Sequence, residues 1–327
     1  MRAPEFWHRD GPLARLLAPL GQAYHLAGAV RRAAAAPWQA PAPVICIGNL
    51  VAGGAGKTPV VLSLLAILSE RGLKPAALSR GYGGTAAGPL QVDPARHDAA
   101  EVGDEALLLA AAAPTWVARD RVAGAKAAIA EGADVLVMDD GFQNPQLAKD
   151  LSFLVIDTDY GLGNGRVMPA GPLRETPASG FARADAIVSL GEAYIGETEK
   201  NLAGKLPVLK ARILPRDGGL AGQRVFAFAG IARPEKFYRT LQALGAEVVG
   251  RENFADHQPY DAATLARLGR AAEALKARLV TTDKDAARLG RARPPEVAVL
   301  DVSLAWDDKD ALLRLLERLP FRRVSAR

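Results

Sequence analysis

Val44-Ile-Cys-Ile-Gly-Asn-Leu-Val-Ala-Gly-Gly-Ala-Gly-Lys57-Thr58-Pro59 passes from an apolar run through a glycine-rich turn into the helix-forming stretch Val60 to Leu68. Strand, glycine-rich turn and helix in that order are the setting of a phosphate loop. Backbone N–H groups point inward, the helix N-terminus carries partial positive charge, and a lysine bridges the β- and γ-phosphates. Gly53, Gly54 and Gly56, with Ala55 among them, let the backbone approach an anion without Cβ clashes, while Lys57 supplies a cation and Thr58 a hydroxyl for Mg²⁺. The match is to Gly-Gly-x-Gly-Lys-Thr: Val51 stands where the full pattern has its first glycine. Ala52 stands where partitioning-type ATPases carry an extra lysine, which argues against that class. A turn without a ligand would have little use for the lysine and threonine.

Outward from this loop the chain alternates β-type runs with helical stretches, which predicts an α/β, P-loop NTPase-like fold: a mainly parallel sheet with helices on both faces. Strands are expected at Val44 to Ile47, Pro75 to Leu78, Thr115 to Ala118, Val135 to Met138, Phe153 to Ile156 and Ala186 to Leu190, with helices after Thr58, Gly103 and Arg121. A second series of strands at Val225 to Ala229, Glu247 to Val249, Leu279 to Thr281 and Val297 to Leu300 carries helices around Pro234 to Leu244, Ala262 to Leu275 and Lys309 to Leu319. It begins after the turn-rich Pro215, Asp217, Gly218 and Gly219. The expected division is therefore an N-terminal helical segment over 1–36, a phosphate-loop domain over 37–215 and a second, smaller α/β unit over 216–327.

Val135-Leu-Val-Met-Asp139-Asp140-Gly-Phe-Gln143 is an apolar strand ending in paired acids. In a phosphate-loop fold, a carboxylate at the end of a neighbouring strand holds Mg²⁺ directly or through water, so Asp139 and Asp140 are the expected metal partners of Thr58. Adjacent residues on an extended chain point opposite ways, so the two need not share a role. Asp104 and Glu105 open a helix, where acids also serve simply to complement the macrodipole. His257, in Asn253-Phe-Ala-Asp-His-Gln-Pro-Tyr260, is the histidine set in a loop dense with polar groups; a His–Asp pair there could take the proton from an attacking hydroxyl.

At 49% hydrophobic residues the chain can bury a sizeable core, and its formal charge of +5 suits an anionic ligand or surface without demanding either. It has no arginine-rich stripe interleaved with aromatics, zinc-finger spacing or RNP-like run, so no nucleic-acid partner is expected. The single cysteine, Cys46, lies in an apolar run, which excludes an intrachain disulfide and points to a reducing compartment. No apolar stretch approaches the roughly 18 to 20 residues of a membrane-spanning helix. Glu5, Asp10 and Arg15 interrupt the region where a secretory signal would have its apolar core, so a cytoplasmic protein is expected.

Leu13, Leu16, Leu17, Leu20, Tyr24 and Ala27 recur at helical spacing, with Arg9, Arg15, Arg31 and Arg32 nearby, Trp7 and Trp38 flanking, and Pro19 expected to kink the helix. Such a stripe either docks on the protein's own core or lies in a membrane interface, where the arginines would meet anionic lipids.

Taken together, the motifs Ile47-Gly-Asn-Leu, Gly53-Gly-Ala-Gly-Lys-Thr-Pro, Leu78-Ser-Arg-Gly-Tyr-Gly, Val102-Gly-Asp-Glu, Asp139-Asp-Gly-Phe-Gln, Gly171-Pro-Leu-Arg-Glu175, Phe228-Ala-Gly-Ile-Ala-Arg-Pro, Phe254-Ala-Asp-His and Thr281-Thr-Asp-Lys-Asp285 resemble, in order and across nearly the whole chain, those of the tetraacyldisaccharide 4'-kinases. Asp283 departs from the glutamate common in the last of these. The resemblance implies ATP- and Mg²⁺-dependent phosphorylation of the 4'-hydroxyl of a tetraacylated glucosamine disaccharide 1-phosphate in lipid A biosynthesis, by a peripheral enzyme at the cytoplasmic face of the inner membrane with no obligate protein partner. It implies two Rossmann-like domains joined by a β-strand linker, an N-terminal helix serving the membrane, and a site in the cleft that the smaller domain closes. Carried over by motif, Lys57 and Thr58 bind phosphates and Mg²⁺, Asp139 and Asp140 serve the metal, and Asp104 is the base with His257 assisting. Gln143 and Glu175 complete the nucleotide and metal shell, and Arg80, Tyr82 and Arg174 face phosphate or sugar. Two rival functions differ in their acceptor: a kinase of a soluble metabolite, and a nucleotide-gated ATPase switch with none.

Overall fold

The computed structural model describes residues 4–193, 195–216 and 218–321, so Asp217 of the turn-rich stretch lies outside the described residues. The strands are β1 (Val44–Gly48), β2 (Pro75–Ser79), β3 (Leu90–Gln91), β4 (Thr115–Val117), β5 (Val135–Asp139), β6 (Leu151–Asp157), β7 (Ala186–Leu190), β8 (Val208–Pro215), β9 (Arg224–Ala229), β10 (Glu247–Asn253), β11 (Arg278–Thr282), β12 (Ala298–Leu300) and β13 (Val302–Trp306). The helices are α1 (Pro12–Ala33), α2 (Lys57–Glu70), α3 (Ala99–Val102), α4 (Asp104–Ala110), α5 (Arg121–Ala130), α6 (Pro177–Phe181), α7 (Glu197–Ala203), α8 (Pro234–Ala243), α9 (Ala262–Ala274), α10 (Asp283–Leu289) and α11 (Lys309–Leu316).

Nine strands form a large sheet in the order β13-β8-β7-β6-β1-β5-β2-β4-β3, parallel except at its two outermost pairs. Its central strands are buried throughout and mostly apolar, as strands covered on both faces must be. One face packs Val60, Val61, Leu64, Leu65 and Leu68 of α2 with Leu109 of α4 and Leu312, Leu315 and Leu316 of α11. The other packs Ala125 and Ala128 of α5 with Phe142, Phe181 and Ala203. A second, all-parallel sheet, β10-β9-β11-β12, has its own core around Val225, Phe237, Leu241 and Val280.

The domain expectation needs one correction. Residues after 301 do not stay with the smaller sheet: β13 returns to pair antiparallel with β8, Ala305 opposite Arg212, and α11 joins the large core. Leu304 and Trp306 pack on that core, and Trp306 Nε1 donates to Ser63 Oγ of α2 at 2.9 Å. The smaller unit is thus an insertion between two neighbouring strands, and the backbone N–H of Arg216 donates to the carbonyl of Asp301 at 2.9 Å where it leaves and re-enters.

Helix α1 runs through Pro19 without ending there. Ala14 and Gly21 face the protein body, but Leu16, Leu20 and Leu26 are 75%, 58% and 63% exposed. Of the two readings of the N-terminal stripe, docking on the protein's own core does not hold for these side chains.

Candidate active site

β1 and β5 are parallel neighbours with Ile47 beside Asp139, so the glycine-rich loop and the paired acids leave the sheet at the same carboxyl edge, where open α/β sheets bind ligands. Gly56, at φ 73°, makes the left-handed turn into α2, and a Cβ there would lie 2.3 Å from Leu190 Cδ2. Among the described residues no side chain caps the first turn of α2, and free N–H groups at a helix start are the kind that bind anions. From the smaller unit, Ala232 lies 3.6 Å from where a Cβ on Gly54 would be.

Lys57 is buried, its Nζ 3.4 Å from Asn49 Oδ1 and 3.4 Å from Asp140 Oδ1. Asp140 accepts two further bonds from Arg174, at 2.8 and 3.0 Å. Burial would raise its carboxyl, but Lys57 and Arg174 outweigh burial and hold it at about 2. Asp139 is the opposite case. Among the described residues neither of its buried oxygens has a hydrogen-bond partner, and burial, with Glu105 adding repulsion, pushes its carboxyl well above the ordinary range despite Lys57. Buried carboxylates are normally paired, so a buried acid without donors among the described residues, close enough to Lys57 to feel its charge, fits a ligand for a hard cation. Among the described residues no cluster of three or more His, Cys, Asp or Glu could hold a metal by itself.

Gln143 donates to the Asn49 carbonyl at 3.0 Å and to Glu175 Oε1 at 3.2 Å, and accepts from Arg174 at 3.2 Å. Glu175 is 1% exposed and accepts from Arg183 and Ser179, with Arg32 of α1 3.5 Å away. Its carboxylate is tied into the wall behind Gln143.

Gly103, at φ 85°, lets the Tyr82 carbonyl come within 2.5 Å of where a Cβ would stand, and α4 starts against that turn. Asp104, 2% exposed, has His257 Nδ1 3.1 Å from each of its oxygens and accepts from Arg288 Nη2 at 2.6 Å. Burial would raise its carboxyl; the bonds from His257 and Arg288 prevail and hold it far below the ordinary range. The hydrogen bond to Asp104 in turn raises His257. His257 itself adopts φ 60°, a left-handed conformation few side chains take. Tyr82, 67% exposed, meets the His257 ring edge-on at 5.2 Å, and Arg80 is exposed two residues before it.

Lys57, Asp139, Asp140, Gln143 and Arg174 therefore form one group, and Asp104, His257 and Tyr82 another. Glu105, which acts on the charge of Asp139, stands next to Asp104 and joins the two. The sequence reading assigned no role to Asn49 or Arg288. Asn49 lies within a quoted motif, and Arg288 lies on α10, whose Thr282-x-x-Asp285 start is a capping pattern.

A family model described as Tetraacyldisaccharide-1-P 4'-kinase matches residues 13–320. The tetraacyldisaccharide 4'-kinase of Rhodospirillum centenum is 58% identical over 327 residues, covering 98% of this chain and 97% of that protein. That of Paramagnetospirillum magneticum is 51% identical over 324 residues, covering 98% and 100%. The crystal structure of "apo" form LpxK from Aquifex aeolicus in complex with ATP matches with a TM-score of 0.74 at 26% identity, covering 95% of this chain and 100% of that one.

Proposed function

We infer the chemistry from a single premise: the chain belongs to the tetraacyldisaccharide-1-P 4'-kinase family. It is an ATP- and Mg²⁺-dependent phosphotransferase that phosphorylates the 4'-hydroxyl of a tetraacylated glucosamine disaccharide 1-phosphate in lipid A biosynthesis. Within that reaction we assign roles to this chain's residues. The observation that carries them is a buried Asp139 whose oxygens have no hydrogen-bond partner among the described residues, at the end of the strand beside the one that runs into the Lys57 loop.

The loop N–H groups and Lys57 bind the phosphates. Thr58 and Asp139 hold Mg²⁺, which when bound neutralises phosphate charge. Asp140, already engaged by Arg174, orients Lys57 instead of serving as the direct ligand, and Glu175 holds Gln143 in place from behind. Phosphoryl transfer is largely dissociative, so the acceptor hydroxyl needs alignment and a nearby proton acceptor more than a strong base. That suits Asp104 with His257, whose protons are best counted for the pair. Arg80 and Tyr82, on the loop facing His257, are placed to meet the sugar phosphate. We assign 37–215 with 302–316 to the kinase body and 216–301 to the unit that closes over it.

With ³²P-labelled ATP and the acylated disaccharide 1-phosphate in detergent micelles, label is expected in the lipid and ATP turnover should rise with acceptor concentration. Turnover indifferent to the acceptor would instead mark an ATPase switch, and label passing only to soluble sugars a metabolite kinase.

We place the enzyme peripherally on the cytoplasmic face of the inner membrane. No helix among the described residues is long and apolar enough to cross a bilayer. The acyl chains of the substrate keep it in the bilayer, so the protein must reach it there. α1 presents Leu16 and Leu20 outward while Arg32 ties the helix to Ser179 and Glu175. Each such leucine leaving water contributes about 1 to 2 kcal/mol. Leu16→Glu combined with Leu20→Glu should abolish co-flotation with vesicles containing anionic phospholipid and leave the melting temperature unchanged. Undiminished flotation would refute the interfacial role.

A further inference from the structure

We propose that Arg288 is a positioning residue for the reaction: its guanidinium holds Asp104 and the His257 loop in register, so the proton-accepting pair is complete only when the smaller unit is seated on α4. The inference rests on the assignment of Asp104 and His257 as that pair.

Arg288 lies in the last turn of α10, and its side chain is 4% exposed. Nη1 donates to Asp285 Oδ1 at 2.9 Å, to the Gly230 carbonyl at 3.2 Å and to the Gln258 carbonyl at 3.3 Å. Nη2 crosses to the other unit and donates to Asp104 Oδ2 at 2.6 Å. One planar group therefore touches the residue after His257, the end of β9 and the carboxylate that His257 faces. Three observations show that the reach to Asp104 is more than a by-product of packing. First, Asp285 is satisfied without the arginine: the Gly230 N–H donates to it at 3.0 Å, Tyr260 OH at 2.7 Å and Thr282 Oγ1 at 2.6 Å. Second, a Cβ on Gly230 would lie 2.7 Å from Arg288 Nη1, so this backbone leaves room for the side chain. Third, Lys284, one helical turn earlier, makes the matching contact, its Nζ 2.6 Å from Glu105 Oε1. Two cations spaced four apart on α10 thus meet two consecutive acids at the start of α4.

The charged and titratable groups around this contact are His257, Asp256, Glu105, Lys284, Asp285 and Tyr260. A lysine at position 288 keeps the charge but presents a single nitrogen, which cannot span Gln258 and Asp104 together. His257, held in a left-handed conformation, would then lose one of the contacts that fix its loop.

Arg288→Lys is expected to lower kcat by about 10²-fold while each KM moves by less than about threefold, because misplacement of a reacting group costs rate before binding. Arg288→Ala should be worse, and guanidinium chloride should restore at least about tenfold of its rate where sodium chloride at equal ionic strength does not. The acid limb of its kcat/KM profile should also sit at higher pH, since Asp104 loses one of the two donors that hold its carboxyl down. The inference is overturned if Arg288→Lys turns over within about threefold of the parent. It is equally overturned if either variant's loss follows a fallen melting temperature with no guanidinium rescue, which is what a purely structural arginine would give. Asp104→Asn, assayed in parallel, separates the two levels. If it too is near parental, the base assignment falls; if it is impaired while Arg288→Lys is not, only the role of Arg288 falls.

Discussion

Lys57→Ala is expected to reduce kcat by about 10³-fold or more while the protein stays folded. Lys57 is the cation that the phosphate loop delivers into a buried site, and transition-state charge is stabilised most by donors already in place in a water-poor pocket. The fold should tolerate its loss because Asp140 keeps both hydrogen bonds from Arg174. Asp139 is affected differently. Lys57 is the foremost influence lowering its carboxyl, so removal drives an already raised acid higher and, on the role proposed for Asp139, should weaken Mg²⁺ binding near neutrality. The variant should therefore need more Mg²⁺ as well as being slow. A Lys57→Ala enzyme with near-normal kcat at saturating ATP and Mg²⁺ would remove the phosphate loop from the mechanism.

Asp104→Asn is expected to cost about 10²- to 10³-fold in kcat, the usual contribution of a positioned proton acceptor, with ATP affinity largely kept. Asparagine preserves the shape at this buried position, and Arg288 stays paired with Asp285. The charge, and with it the proton acceptor, is what goes. A second readout follows from His257, whose pKa Asp104 raises above the ordinary 6.5. A group raised on folding stabilises fully below its unfolded value and loses that contribution as pH rises through the folded value. The melting-temperature gap between parent and Asp104→Asn should therefore be widest below pH 6.5 and narrow above it as His257 loses its proton. It should not vanish, because Arg288 remains charged. A gap constant with pH, together with unchanged kcat, would remove both residues from the chemistry.

What could be read from sequence was what is local. The loop before Lys57 and the acids after Met138 each lie within one strand and its exit, where apolar runs and turn chemistry decide the outcome, and both emerged at the carboxyl edge as expected. β8 went unrecognised because charged residues interrupt it: Lys210 and Arg212 alternate with buried Leu209 and Ala211 and face Asp307, just past the end of the returning strand. β13 is recognisable only through that partner, and a strand defined by its neighbour carries a weak signal of its own. The same holds in the site. Asp104 and His257 are 153 residues apart, and no spacing rule joins them; family resemblance did. Arg288, 184 residues from Asp104, fell on a short helix whose capping start had been read only as part of a motif. Glu175 was placed in the nucleotide and metal shell by resemblance alone, and no local signal foretold its contacts with Arg183, Ser179 and Gln143.

The insertion of the smaller unit between β8 and β13 also fixes an order of events at the ribosome. The nascent chain offers the phosphate loop long before the sheet that supports it is finished, because one edge strand and a core helix of that sheet are translated only after the whole insertion. Until then β8 has an open edge, the kind of surface that recruits stray strands, whereas the four-stranded sheet is contiguous in the chain and can close on itself first. Trimming the chain back to residue 301 would therefore damage the half that holds ATP and leave the other half's strands untouched.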